Sequence, residues 1–288
     1  MSSIAVLIHD HPDPQLTADG LVRRLSADFP DSPAPPAATS DPAPGEALIL
    51  RRDESTVAVL TVPSGLDTDL AEIAARSRLW PADRPVPTGA GGHTIVSATR
   101  PGTGDADDSA ADEPTAADPT ADDRITDVAD TAFVSEVSAA AVAALESVRA
   151  VYIVDADHLI APDVFRDLAL ATLPDPILPA WVAFDVAPRP DGVMTAHTRG
   201  MAAFGLMDIE IPASGHDAQQ TFERLVSTAV HLLENGPTIA DGQPVGDDGV
   251  IARHAPSAAV EDKTVLRLDY PGMAAEPDEP RRRWFSRR

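Results

Sequence analysis

A chain of 288 residues is long enough for one large core or two smaller ones. Aromatic residues are only 4% of it, against 43% hydrophobic overall, so alanine and valine must supply much of that core in small contributions. A formal charge of −24, from 46 acidic and 22 basic residues, repels nucleic acid and anionic lipid, while the lack of cysteine excludes disulfides, thiolate metal sites and cysteine nucleophiles.

Ile4-Ala-Val-Leu-Ile8 is apolar and bounded by polar residues, so it reads as a short buried strand. His9-Asp10-His11 ends that run too early for a signal peptide. Leu16, Leu21, Val22 and Leu25 then recur at helical spacing. Prolines 33, 35, 36, 42 and 44 make residues 31–45 a proline-rich loop, since proline removes a donor and fixes φ. Two strands follow, Ala47–Arg51 and Thr56–Val62, the second apolar on both faces and therefore central. A helix over Asp67–Leu79, with Asp67 as its cap, and a strand over His93–Ala98 complete a β-α-β-β-α-β order, the ferredoxin-like pattern.

Between Arg100 and Arg124 eight carboxylates stand among small residues and proline. Such a stretch buries too little apolar surface to offset its chain entropy, so residues 101–124 are expected to be a disordered acidic linker. Beyond it the periodicity predicts a helix over Thr126–Val148, a strand over Ala150–Val154 and a helix over Pro162–Leu173. Strands over Trp181–Val186, Val193–His197 and Leu206–Ile211 come next, then a helix over Asp217–Asn235 and a strand over Thr264–Leu268. The tail, 271–288, carries five arginines in its last eight residues and is also expected to be disordered.

The fold class expected is α+β: two ferredoxin-like (split βαβ) halves, at 1–100 and 125–270, with mainly antiparallel sheet and helices packed on one face. No apolar run reaches the ~20 residues that cross a bilayer, so a cytoplasmic location without stable membrane insertion is expected.

Several segments together carry a family resemblance: Arg78-Leu-Trp-Pro81, His93-Thr-Ile-Val-Ser-Ala98, Ala150-Val-Tyr-Ile153, and Gly200-Met-Ala-Ala-Phe-Gly205 running into Asp208-Ile-Glu-Ile211. In order and spacing the chain resembles, from about residue 46 to 269, the bacterial domain of unknown function 4261. The resemblance implies an architecture and no activity.

Three constellations have residue types suited to chemistry. His9 and His11, two apart in extended chain, share a face and are the candidate metal pair. Asp155, Asp157 and His158 lie just past a predicted strand end, where ligand sites of α/β sheets gather, although turn formation and helix capping also use these residues. In the segment His197–Ile211, Arg199 suits an anion clamp and Glu210 a general base. The plainer reading pairs Arg199 with Asp208 or Glu210 across strands on a solvent face. G-x-S-x-G, P-loop, H-E-x-x-H and G-x-G-x-x-G patterns are all missing, and no cofactor is called for. The expected function is therefore non-enzymatic: an accessory or immunity-type protein that binds a basic protein and no nucleic acid. The alternative is a small metal- or carboxylate-dependent hydrolase with a site at strand ends of the C-terminal half.

Overall fold

The computed structural model describes residues 3–11, 16–32, 37–38, 43, 45–88, 91–99, 121–258, 260 and 263–273, with only the backbone at 121–123. The expectations for residues 100–120, for most of the proline-rich loop and for the tail from 274 lie outside these residues. The chain forms two compact units, Met1–Ala183 with Arg199–Leu206, and Phe184–Thr198 with Met207–Arg288.

In the first unit, strand β1 (Ile4–His9) is central. Helix α1 (Ala18–Asp28) starts where the Thr17 hydroxyl accepts from the Gly20 N–H at 3.2 Å. Strands β2 (Ala37–Ala38), β3 (Leu48–Arg52) and β4 (Ser55–Val62) form a meander. Helix α2 (Leu70–Arg76) is capped by Asp69, which accepts from the Ala71 and Glu72 N–H groups, so the cap lies two residues beyond the predicted Asp67. Strand β5 (His93–Thr99) is followed by α3 (Ala121–Ala144), β6 (Val148–Ile153), β7 (His158–Ile160), α4 (Pro162–Thr172) and the short α5 (Leu178–Trp181).

The strand order is β2-β3-β4-β5-β1-β6-β7, with antiparallel neighbours throughout. This corrects the ferredoxin-like expectation. That pattern places the first strand beside the third, in parallel, whereas here β1 is flanked by β5 and β6, both antiparallel to it. β6 and β7 finish the first sheet on that side of β1, and the first compact unit runs on through Ala183, past the division expected at 101–124. Residues 121–124, assigned to the acidic linker, begin α3.

Helices on one face are likewise not what forms. Ala5, Val6, Leu7 and Ile8 are all buried, so β1 needs cover on both sides. Val6 and Ile8 pack with Leu70, Ile73 and Ala74 of α2 and with Trp80. On the opposite face the Ser3 hydroxyl meets Thr131 of α3 at 2.7 Å, and α1 and α4 pack beside α3. Arg166 of α4 grips Asp28 at the end of α1 with two hydrogen bonds of 2.7 and 2.9 Å, and Arg24 adds one of 2.8 Å. Burial pushes the Asp28 carboxyl up, but these arginines outweigh it and hold the group below its ordinary range.

The second unit is a sheet ordered β11-β12-β13-β10-β9-β8, built from β8 (Ala183–Pro188), β9 (Met194–Arg199), β10 (Ile209–Ser214), β11 (Pro244–Val245), β12 (Val250–Pro256) and β13 (Thr264–Asp269). Its β10–β13 pair is parallel, and β12 lies in a stretch where no strand was expected. Helix α6 (Ala218–Asn235) has Asp217 as its cap and packs on β10, with Phe184 and Phe222 edge to face at 6.1 Å. Both units are thus α+β with mostly antiparallel strands.

Candidate functional site

Of the segment between β9 and β10, the part through Leu206 belongs to the first unit. Gly200 has φ of 105°, and a Cβ there would collide with the Trp181 carbonyl oxygen. Only glycine allows that approach. A single 3₁₀ turn, Met201–Phe204, follows and buries Met201, Ala203 and Phe204. The Ala203 carbonyl accepts from the Thr131 hydroxyl of α3 at 2.7 Å, and Gly205, with φ of 64°, closes the turn against Asp127. This apolar turn is a plug in the first core.

Arg199, at the end of β9, pairs with Asp157, a partner the plainer reading did not name. Its Nη1 donates to Asp157 Oδ2 at 3.2 Å. Arg76, from the last turn of α2, donates to the same oxygen, and the Tyr152 hydroxyl donates to Asp157 Oδ1 at 3.0 Å. Asp157 itself has φ of 48°, a left-handed conformation that aspartate tolerates in turns. Burial, and then the charge and hydrogen bond of Asp157, raise the Tyr152 hydroxyl well above its ordinary range. The predicted group is therefore half assembled. Asp157 and Arg199 come together, Asp155 is exposed in the turn, and His158 is buried in β7 opposite Ile153.

The other predicted carboxylates are in the second unit, and both are buried rather than on a solvent face. Asp208 is 3% exposed; the Thr198 hydroxyl donates to it at 3.0 Å and the Lys263 ammonium pairs with it. Glu210 is 6% exposed, held by the Ser257 hydroxyl and, at 3.0 Å, by the Ala258 N–H. The β12–β13 connection supplies Ser257, Ala258 and Lys263, which is why neither carboxylate reaches water. His197, opposite Glu210 in the ladder, lies 3.4 Å from Asp185.

The two histidines of the expected metal pair point to different surroundings. His9 is buried, and its ring nitrogens meet Ser147 Oγ at 2.6 Å and Thr94 Oγ1 at 2.9 Å. His11 lies beyond the strand end, exposed and paired with Asp10. A register shift between Ile8 and His9 and the end of β1 remove the two-residue alternation on which the shared face rested. A metal at His9 would have to displace one of the two hydroxyls. Among the described residues, no cluster of three or more His, Cys, Asp or Glu side chains is arranged to hold an ion.

Sequence reasoning missed Arg76 and Tyr152 as partners of Asp157, and Lys263, Ser257 and Ala258 as partners of the second pair. Arg76 follows the apolar stripe of α2, and Tyr152 stands two residues before the turn, so each looked like an ordinary element position. Only the sheet order brings them to one carboxylate.

The arrangement defines an α+β protein whose most distinctive segment joins two cores. The model of the family described as Domain of unknown function (DUF4261) matches residues 197–269, a stretch that takes in that segment. The match covers the C-terminal part of the stretch over which the resemblance was drawn, from His197 through the glycine turn to the end of β13. Comparisons with curated proteins and with solved structures find no match.

Proposed function

We propose that the protein is a non-enzymatic, cytoplasmic accessory or immunity-type protein of bacterial origin that acts by binding a basic protein. The observation that carries this reading is how the candidate catalytic groups are used. Asp157 is held by two guanidiniums and a phenol, Glu210 by a hydroxyl and an N–H, and His9 by two hydroxyls. Groups consumed in internal bonds serve stability; a general base needs a lone pair aimed at substrate. The hydrolase reading draws correspondingly less support.

The charge supports a basic partner. A field of −24 steers cationic surfaces and speeds their encounter. Among the described residues no helix is long and apolar enough to cross a membrane. Affinity capture with the full chain from its host, at low and at high salt, tests the proposal. One basic protein is expected in stoichiometric amount, released as ionic strength rises. Capture of nothing specific, or metal-dependent hydrolysis of esters or phosphoesters by the purified chain, would overturn it.

A further inference from the structure

Helix α6 lines a recess of about 420 Å³ in the second unit with Gln220, Glu223, Arg224 and Ser227, facing His216 and Asp248. Positions 220, 223, 224 and 227 are three and four apart, so they form one stripe of the helix. The opposite wall is the turn between β11 and β12. Arg224 fastens that turn, donating to Asp248 Oδ2 at 2.5 Å and to the Val245 carbonyl at 3.4 Å. Gly246 lies against the same guanidinium, where a Cβ would come within 2.7 Å of Nη1. The third wall is set by His216, whose ring stands edge to face with Tyr270 at 5.4 Å and lies 3.7 Å from Asp248. The recess is therefore a shallow, open depression bordered by the helix, the turn and His216.

Its chemistry is one-sided. Arg224 is spent on the turn, and two carboxylates against one guanidinium leave a net formal charge of −1. Glu223 is exposed on the helix and steadied by the Gln219 amide at 2.7 Å. The lining residues that can accept are Glu223, Gln220 and Ser227, whose hydroxyl hydrogen is already given to the Arg224 carbonyl at 3.0 Å. Every lining residue carries a polar head, while apolar stem atoms make up more of the exposed wall, so a guest with both a hydrogen-bonding end and an apolar stem suits it. A guanidinium brings five donors on an apolar stem and a charge opposite to that of the walls.

We propose that this recess receives an arginine side chain of the basic partner, with Glu223 as its ion-pair acceptor and Gln220 and Ser227 as flanking acceptors. The inference rests on the basic-partner reading and gives it a location.

The test titrates a fluorescein-labelled oligoarginine peptide into the full chain at low salt. Glu223→Gln keeps the shape and the Gln219 contact while removing the charge. Glu234→Gln removes one charge from the exposed end of the same helix, outside the recess. Glu223→Gln is expected to weaken binding about three- to fivefold, the size of one exposed ion pair, and Glu234→Gln by less than about 1.5-fold. Ser227→Arg fills the recess with a guanidinium and is expected to weaken binding by more than about tenfold through like-charge contact. Equal effects of the two glutamine variants would overturn the recess while leaving the acidic field as the attractor. No binding by the unaltered chain would instead overturn the basic-partner reading itself. Replacing Arg281, Arg282, Arg283, Arg287 and Arg288 by serine should leave peptide affinity unchanged. A gain in affinity that disappears with Glu223→Gln would assign the recess to the chain's own arginines and overturn an external occupant.

Discussion

The two ends of the segment 199–211 are used by opposite kinds of physics. At the front, Arg199 to Leu206 belongs to the first unit, and its placement depends on backbone freedom at Gly200 and on burial of Met201 and Phe204. At the back, Asp208 and Glu210 belong to the second unit, and their placement depends on hydrogen bonds that satisfy buried charge. One tolerates no added atom; the other tolerates no lost partner. A cluster of glycines and carboxylates in sequence is thus a joint between two cores, made from groups that elsewhere build active sites.

The comparison is broken most severely at the front. Gly200→Ala adds a Cβ against the Trp181 carbonyl in a left-handed conformation, and a loss of about 3 kcal/mol or more is expected by chemical denaturation. At the back, Glu210→Ala strands the Ala258 N–H and the Ser257 hydroxyl, for a loss of about 2 kcal/mol. Glu210→Gln, which keeps an acceptor in place, is expected to lose clearly less in the same denaturation series. If the two Glu210 variants behave alike, charge rather than hydrogen bonding dominates that end. Asp157→Ala leaves Arg76 and Arg199 facing each other without their carboxylate, and about 1 kcal/mol is expected because the cluster is partly open to water.

The smallest effect is a titration. Tyr152 ionises late because it is buried and because it donates to Asp157. Its folded value is raised, so the stability it contributes is fully present below the ordinary 10.0 and is lost as pH rises toward the folded value. Asp157→Asn removes the charge but not the burial. Ultraviolet titration should then show Tyr152 ionising earlier than in the unaltered chain, yet still above 10.0. No movement would mean that burial alone sets it.

Local structure was legible wherever the chemistry is local. The apolar run of β1, the proline opening α4 and the stripe and stop of α6 are short-range signals, and the elements stand where those signals put them. Trp181 was placed at the start of a strand but closes the short helix α5, because its indole N–H reaches Ser135 of α3 at 2.8 Å, a contact from far along the chain. His158 was read as a turn residue and is a strand residue for the same kind of reason: β7 exists only by pairing with β6. Strand order was the least legible feature. A β-α-β-β-α-β sequence does not say whether β1, beside β5, has β4 or β6 as its other neighbour, and that choice separates a ferredoxin-like half from the seven-stranded sheet observed.

The candidate site was half legible. Asp157 and Arg199 were named for their residue types and do meet. The identities of Arg76 and Tyr152 carried no signal until the fold supplied their neighbours. Asp208 and Glu210 alternate with isoleucines, which reads as an outward face. They are buried beside Ser257, Ala258 and Lys263, partners from far along the chain that a two-residue period does not reveal.

The central claim is that the carboxylates and arginine of this segment hold the fold and take no direct part in binding. The direct measurement titrates the oligoarginine peptide into Arg199→Gln and Glu210→Gln at a temperature where circular dichroism shows both still folded. Lowered melting temperatures with the affinity of the unaltered chain are predicted. Affinity lost while the melting temperature stays unchanged would contradict the account and return the segment to the status of a site.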